Sequence, residues 1–173
     1  YAQTRHVTIV PEIELPGHAQ AALAAYPQFS CTGGPFEVGN YWGIYEDVFC
    51  AGNDNAINFL KNILHEVVDM FPGTFVHIGG DECPKNRWKK CKKCQTRIKA
   101  ENISDEQGLH RWMMRQLTKF LAENDRRVIG WDEILECGLG PETAVMSWRS
   151  TEGGVAAARA GHDVVMCPHQ HLF

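Results

Sequence analysis

Asp81 and Glu82 are adjacent carboxylates that follow an apolar run and two glycines in the stretch TFVHIGGDECPKNRW, residues 74–88. Read as a strand, Phe75, His77, Gly79 and Asp81 fall on one face and Val76, Ile78, Gly80 and Glu82 on the other. Strict alternation would point the two acids apart. At a strand end, however, the backbone leaves the ladder, and Gly79 and Gly80 remove two side chains, so a ligand can approach and both acids can reach it. A glycosidase needs such a pair, one acid to protonate a leaving oxygen and one negative group to position or stabilise. Mutual repulsion between neighbouring acids is expected to raise one pKa toward a useful value. The competing reading is a plain helix start, where the dipole favours acids.

Three further residues sit where chemistry is expected. His18 follows a strand pattern and the turn ELPGH, while Trp131 and Trp148 end the apolar runs RVIGWDE (127–133) and TAVMSWR (143–149). In parallel α/β folds the site lies at the carboxyl ends of the strands. Sugar rings present apolar C–H faces, so indoles around a carboxylate pair suit a saccharide pocket. The loop 30–53 is long, glycine-rich and aromatic-rich; of Phe36, Tyr41, Trp42, Tyr45 and Phe49, most are expected to pack the loop down and some to meet sugar.

The elements that must position these groups alternate. HVTIVPEI (6–13) reads as a buried strand, followed by a short Ala-rich helix before Pro27. Asn53 or Asp54 caps a helix with Ile57, Leu60, Leu64, Val67 and Val68 on one face, ended by Pro72-Gly73. After the strand at 74, the basic stretch Lys85–Lys93 reads as a solvated loop, and Ser104-x-x-Gln107 as a capping box opening a helix with Leu109, Trp112, Met113, Leu117 and Phe120 inward. Strands follow at 127, 143 and 163, with a helix from Glu152 to Ala160. Five strands separated by crossovers imply a parallel sheet.

The chain has 173 residues, 44% hydrophobic and 22% charged, and a formal charge of −4. That is material for one domain or less, with no electrostatic footprint for nucleic acid or an anionic membrane and no apolar run of the roughly 18 residues a span needs. Seven cysteines leave at least one thiol unpaired. Cys31 and Cys50 flank the long loop and could close it, while Cys83, Cys91 and Cys94 offer three soft ligands without an obvious fourth, so free thiols or a disulfide are favoured over a metal.

With these residues in view, His-Ile-Gly-Gly-Asp-Glu (77–82) resembles the signature of the family 20 glycoside hydrolases, the β-N-acetylhexosaminidases, and PEIELPGH, GWDE and SWR stand in the order that family has. The resemblance spans the whole chain and implies a partial catalytic domain over 1–173, the third to seventh strands of a TIM (β/α)8 barrel. It implies an enzyme that removes terminal non-reducing GlcNAc or GalNAc from an N-acetylhexosamine-terminated oligosaccharide or glycan, with retention and without a cofactor. Glu82 would be the general acid, Asp81 would hold the substrate's acetamido group as it acts as nucleophile, His18 would support the acid, and Trp131 and Trp148 would wall the acetamido pocket. Glu14 stands where the family more commonly has Asp. A sugar-binding arginine is expected before Tyr1, and a Tyr-x-Asp pair and a third tryptophan at or after Phe173, which itself falls near that tyrosine. The family setting is periplasmic, secreted or lysosomal.

Two other readings stand beside this one. The chain could be an inactive fragment or carbohydrate-binding remnant, or a zinc-stabilised interaction module built on Cys83, Cys91 and Cys94. Five strands of an eight-stranded barrel leave two edges, so self-association is expected.

Overall fold

Five short strands, β1 (Glu12–Leu15), β2 (Phe75–Gly79), β3 (Arg127–Trp131), β4 (Ala144–Ser147) and β5 (Val164–Met166), form one parallel sheet in the order of the sequence in the computed structural model, which describes residues 1–172. Phe173 lies outside the described residues. Right-handed crossovers that always step the same way place every connecting helix on one face of the sheet. The result is part of a (β/α)8 barrel rather than a doubly wound sheet, as the alternation in the sequence implies.

The helices are α1 (Gln20–Ala25), α2 (Asp54–Met70), α3 (Asn86–Lys90), α4 (Lys92–Ala100), α5 (Glu106–Ala122), α6 (Thr151–Arg159) and α7 (His169–Leu172). The Asn53 side chain accepts from Asn55 N at 3.1 Å and caps α2, which buries Ile57, Leu60, Leu64 and Val67. Asp105, not Ser104, caps α5 by accepting from Gly108 N at 2.7 Å. The buried face of α5 is Leu109, His110, Met113, Met114, Leu117 and Leu121, so Trp112 and Phe120 sit at its margin. Val76, Ile78, Val128 and Val145 belong to the core beneath these helices, whereas His77 and Trp131 meet on the sheet's other face, ring centroids 4.9 Å apart. Alternation along the strands thus separates a helix-facing core from a face that carries polar groups.

Two further expectations need correction. The first strand begins at Glu12, not His6; Gln3–Arg5 is a 3-10 turn, and Val7, Ile9 and Val10 are exposed. Pairing starts where the Pro11 carbonyl accepts from His77 N at 2.9 Å. The basic stretch at 85–93 is not a solvated loop, because it forms α3 and the start of α4. Trp88 is fully buried there, and its indole donates to the Phe49 carbonyl at 3.0 Å.

Candidate active site

The carboxyl ends of β1 to β4 converge on a cavity of about 730 Å³ lined by Glu14, His18, Tyr41, Trp42, Ile44, Asp81, Glu82, Trp131 and Trp148. All five residues singled out in the sequence for the site therefore face one space. His18 arrives on the turn after β1, and Asp81 and Glu82 on the backbone beyond β2. Gly79 (φ 65°) and Gly80 (φ 96°) turn the chain out of the ladder there, in a region costly for other residues. A Cβ on Gly79 would lie 2.2 Å from Glu14 Oε2, and one on Gly80 2.5 Å from Ile134 Cγ2. These two positions admit glycine alone without moving the site.

One imidazole nitrogen ties the two acids together. His18 Nε2 lies 3.2 Å from Asp81 Oδ2 and 3.3 Å from Glu82 Oε2. Hydrogen bonding to Asp81 holds the His18 pKa above its ordinary value, against the opposing effect of burial and with help from the charges of Asp81 and Glu82. Burial pushes Asp81 upward, but hydrogen bonds from His18 and Glu14 outweigh it and the net shift is downward. Asp81 is thus favoured as an anion.

The fold pushes up two acids of the site, Glu133 by burial and, further, Glu14. Burial, a hydrogen bond with Glu12 and the nearby Asp81 raise it to about 9, against a hydrogen bond from Trp131 that favours the ionised form. Glu14 Oε2 and Asp81 Oδ1 are both buried, and neither receives a proton from a donor among the described residues. A proton kept on Glu14 satisfies both oxygens at once. Burial and the neighbouring Asp81 thus favour the protonated form of Glu14, which can donate to Asp81, a role the sequence left open.

The linkage has a definite sign. An unfolded Glu14 ionises near 4.5, whereas the folded residue keeps its proton to about 9. Between these values the folded state binds the extra proton, so this group's contribution to stability is full below about 4.5 and is lost as pH rises toward 9. Glu14→Gln keeps the donor and removes the titration. Urea unfolding from pH 5 to 9 is expected to show a declining stability in the parent and a flatter profile in the variant; equal slopes would refute a protonated Glu14.

The tryptophans are fixed by acids of the strand ends. Trp131 Nε1 donates to Glu12 Oε1 at 3.1 Å and Glu14 Oε1 at 3.3 Å, and Trp148 Nε1 donates to Glu133 Oε2 at 3.0 Å. Their rings meet edge to face, 6.3 Å between centroids and 71° between planes. Behind them Arg149 Nε donates to the buried Asp132 Oδ1 at 2.5 Å, which joins the turns after β3 and β4. Asp132 and Glu133 stand in the visible GWDE motif, but their support of Arg149 and Trp148 follows only from the fold.

The long loop supplies the remaining wall. Phe49 is buried packing, and Tyr41 and Tyr45 lie against each other at 4.6 Å. Trp42 is wholly exposed at the cavity. All seven cysteines are free thiols, so Cys31 and Cys50 do not close the loop as a disulfide. Cys83 lies apart from Cys91 and Cys94, and Cys31 and Cys50 stand beside those two instead. No helix is long and apolar enough to cross a membrane among the described residues.

Comparison with known proteins agrees with this geometry. The profile described as glycosyl hydrolase family 20, catalytic domain, matches residues 1–173. A β-hexosaminidase of Porphyromonas gingivalis is 51% identical over 168 residues, which cover 97% of this chain and 22% of that protein. The crystal structure of Flavobacterium johnsoniae chitobiase superposes with a TM-score of 0.89 at 31% identity, over 97% of this chain and 27% of its own. An exo-β-N-acetylglucosaminidase from Vibrio harveyi, solved in complex with N-acetylglucosamine, gives 0.84 at 30% identity, over 98% of this chain and 27% of its own. The chain thus spans about a quarter of the length of these relatives.

Proposed function

The chain belongs to glycosyl hydrolase family 20, and on that basis we propose that the protein removes terminal non-reducing N-acetyl-β-D-hexosamine residues, GlcNAc or GalNAc, from oligosaccharides or glycans. The reaction is retaining, and the substrate's own acetamido group is the nucleophile. The observation that carries this reading is the single His18 nitrogen within 3.3 Å of both acids, at a cavity walled by two indoles.

In the first step Glu82 gives its proton to the glycosidic oxygen as the acetamido carbonyl oxygen bonds to the anomeric carbon. The leaving alcohol departs with the original bonding pair. The product is a cyclic oxazolinium ion, whose positive charge Asp81 stabilises while accepting from its N–H. In the second step the Glu82 carboxylate takes a proton from water, which attacks the anomeric carbon and reopens the ring. Two inversions give net retention, and Glu82 ends protonated.

The supporting residues follow from their contacts. His18 positions both acids, and Glu14 holds Asp81 in register without adding charge. Trp131 and Trp148 enclose the acetamido methyl and exclude water from the forming ring. The test is an aryl β-glucoside matched to an aryl N-acetyl-β-glucosaminide. The glucoside lacks the nucleophile and is expected to be inert, whereas comparable hydrolysis of the two would refute assistance by the substrate.

A further inference from the structure

Away from the cavity, four cysteines from three separate stretches of chain come together. Cys31 opens the long loop and Cys50 closes it; the antiparallel bridge between Ser30 and Phe49 sits at the loop's neck. Cys91 lies at the junction of α3 and α4, and Cys94 in the first turn of α4. Cys50 and Cys94 are fully buried, Cys91 is 8% exposed and Cys31 is partly covered.

The sulfur spacing distinguishes among what four thiols can do. Cys31 Sγ is 3.7 Å from Cys94 Sγ, and Cys50 Sγ is 3.6 Å from Cys94 Sγ and 3.8 Å from Cys91 Sγ. All four sulfurs lie within 4.8 Å of one another. A disulfide needs about 2.05 Å, and disulfide pairing would give two short distances rather than similar ones linking all four residues. Sulfurs placed about 2.3 Å from a central tetrahedral zinc stand about 3.8 Å from each other, which matches the three separations. Ordinary contact between two sulfurs falls at a similar distance, so what marks a site here is the meeting of four thiols from three stretches of chain around one point.

The surroundings are built for the same end. Cys91 and Cys94 form a C-x2-C pair at the start of the nine-residue α4, where free backbone N–H groups favour thiolates, and Lys92 and Lys93 add positive charge. A Cβ on Gly52 would lie 2.2 to 2.4 Å from backbone atoms of Lys93 and Cys94. Glycine there lets the end of the loop press onto α4 and brings Cys50 to its partners. Cys83, Cys137 and Cys167 stay outside this group.

We propose that Cys31, Cys50, Cys91 and Cys94 bind one structural zinc ion, which pins both ends of the long loop to the α3–α4 corner. Each thiol releases its proton on binding, and four protein sulfurs leave no position open for water, so the ion takes no part in hydrolysis. Its effect is to order a loop that carries Tyr41, Trp42 and Ile44 to the cavity wall.

The test is metal analysis of the full-length protein purified without chelator or metal-affinity steps, before and after reconstitution with zinc under reducing conditions. One zinc per chain is expected, held against dialysis. Cobalt in its place should show the absorption of a tetrahedral tetrathiolate site. Cys91→Ser with Cys94→Ser should lose the metal, whereas Cys167→Ser should keep it. Should the double variant not fold, titration of the parent decides: four thiols should become reactive in step with release of one zinc, and the segment 31–50 should then become open to protease. Failure to retain zinc after reconstitution, disulfides among the four cysteines, or zinc held equally by a folded double variant would each overturn the proposal.

Discussion

Replacing Glu82 by Gln is expected to lower kcat on an N-acetyl-β-hexosaminide by about 10²–10⁴ while KM changes little. The amide preserves the shape beside His18 and can still donate a hydrogen bond, but it has no proton to transfer. The loss should depend on the leaving group. An alcohol departs poorly without protonation, so natural glycans should show the full effect. An acidic phenol needs less help, so the first step recovers and the second, in which the carboxylate must activate water, becomes limiting. Steady-state rates on a series of aryl leaving groups read this directly, and a variant as fast as the parent on glycans would remove Glu82 from the reaction.

Asp81→Asn is expected to cost about 10²–10³ in kcat, the scale of losing one preorganised electrostatic group at a developing charge. Asp81 is held as an anion by His18 and Glu14 together. The substitution removes the negative charge that opposes the oxazolinium, and it places an amide where two hydrogen bonds are already directed at carboxylate oxygens. Product affinity should change far less than rate, because the charge exists only on the path between substrate and product. Equal losses in kcat/KM and in product binding would instead mark Asp81 as a ground-state contact. The two variants should not be additive, since both acids share one histidine nitrogen.

Most of the site was legible because its residues are punctuated by strand ends. HIGGDE, GWDE and SWR each place a polar or aromatic group directly after an apolar run, and the fold carries all of them to one sheet edge. What the sequence concealed depended on contacts between distant segments. The β-branched residues 7–10 promised a strand, yet pairing begins at Pro11 and Glu12, because strand preference is decided by neighbours more than by side-chain type. The helices at 86–100 were hidden by their lysines, although Trp88, Cys91, Cys94 and Ile98 recur at helical spacing and are buried. Counting cysteine as an apolar residue would have revealed them.

The electrostatics were harder still. Adjacent acids drew attention to the Asp81–Glu82 pair, but Asp81 is lowered and a large upward shift falls on Glu14, 67 positions before Asp81 in the chain and beside it in space. Its departure from the commoner Asp was visible; its proton was not. The cysteine cluster was equally hidden. C-x2-C is plain in the sequence, but its partners lie 41 and 63 residues away across a loop whose closure is tertiary.

The measurement that tests the central claim most directly is the rate on aryl N-acetyl-β-glucosaminides whose acetyl methyl carries none, one, two or three fluorines. Fluorine withdraws electrons from the carbonyl oxygen and scarcely alters its size, so a mechanism in which that oxygen attacks the anomeric carbon predicts a steep fall in kcat/KM with each substitution. A flat series would mean that the acetamido group only binds, and that the nucleophile lies elsewhere.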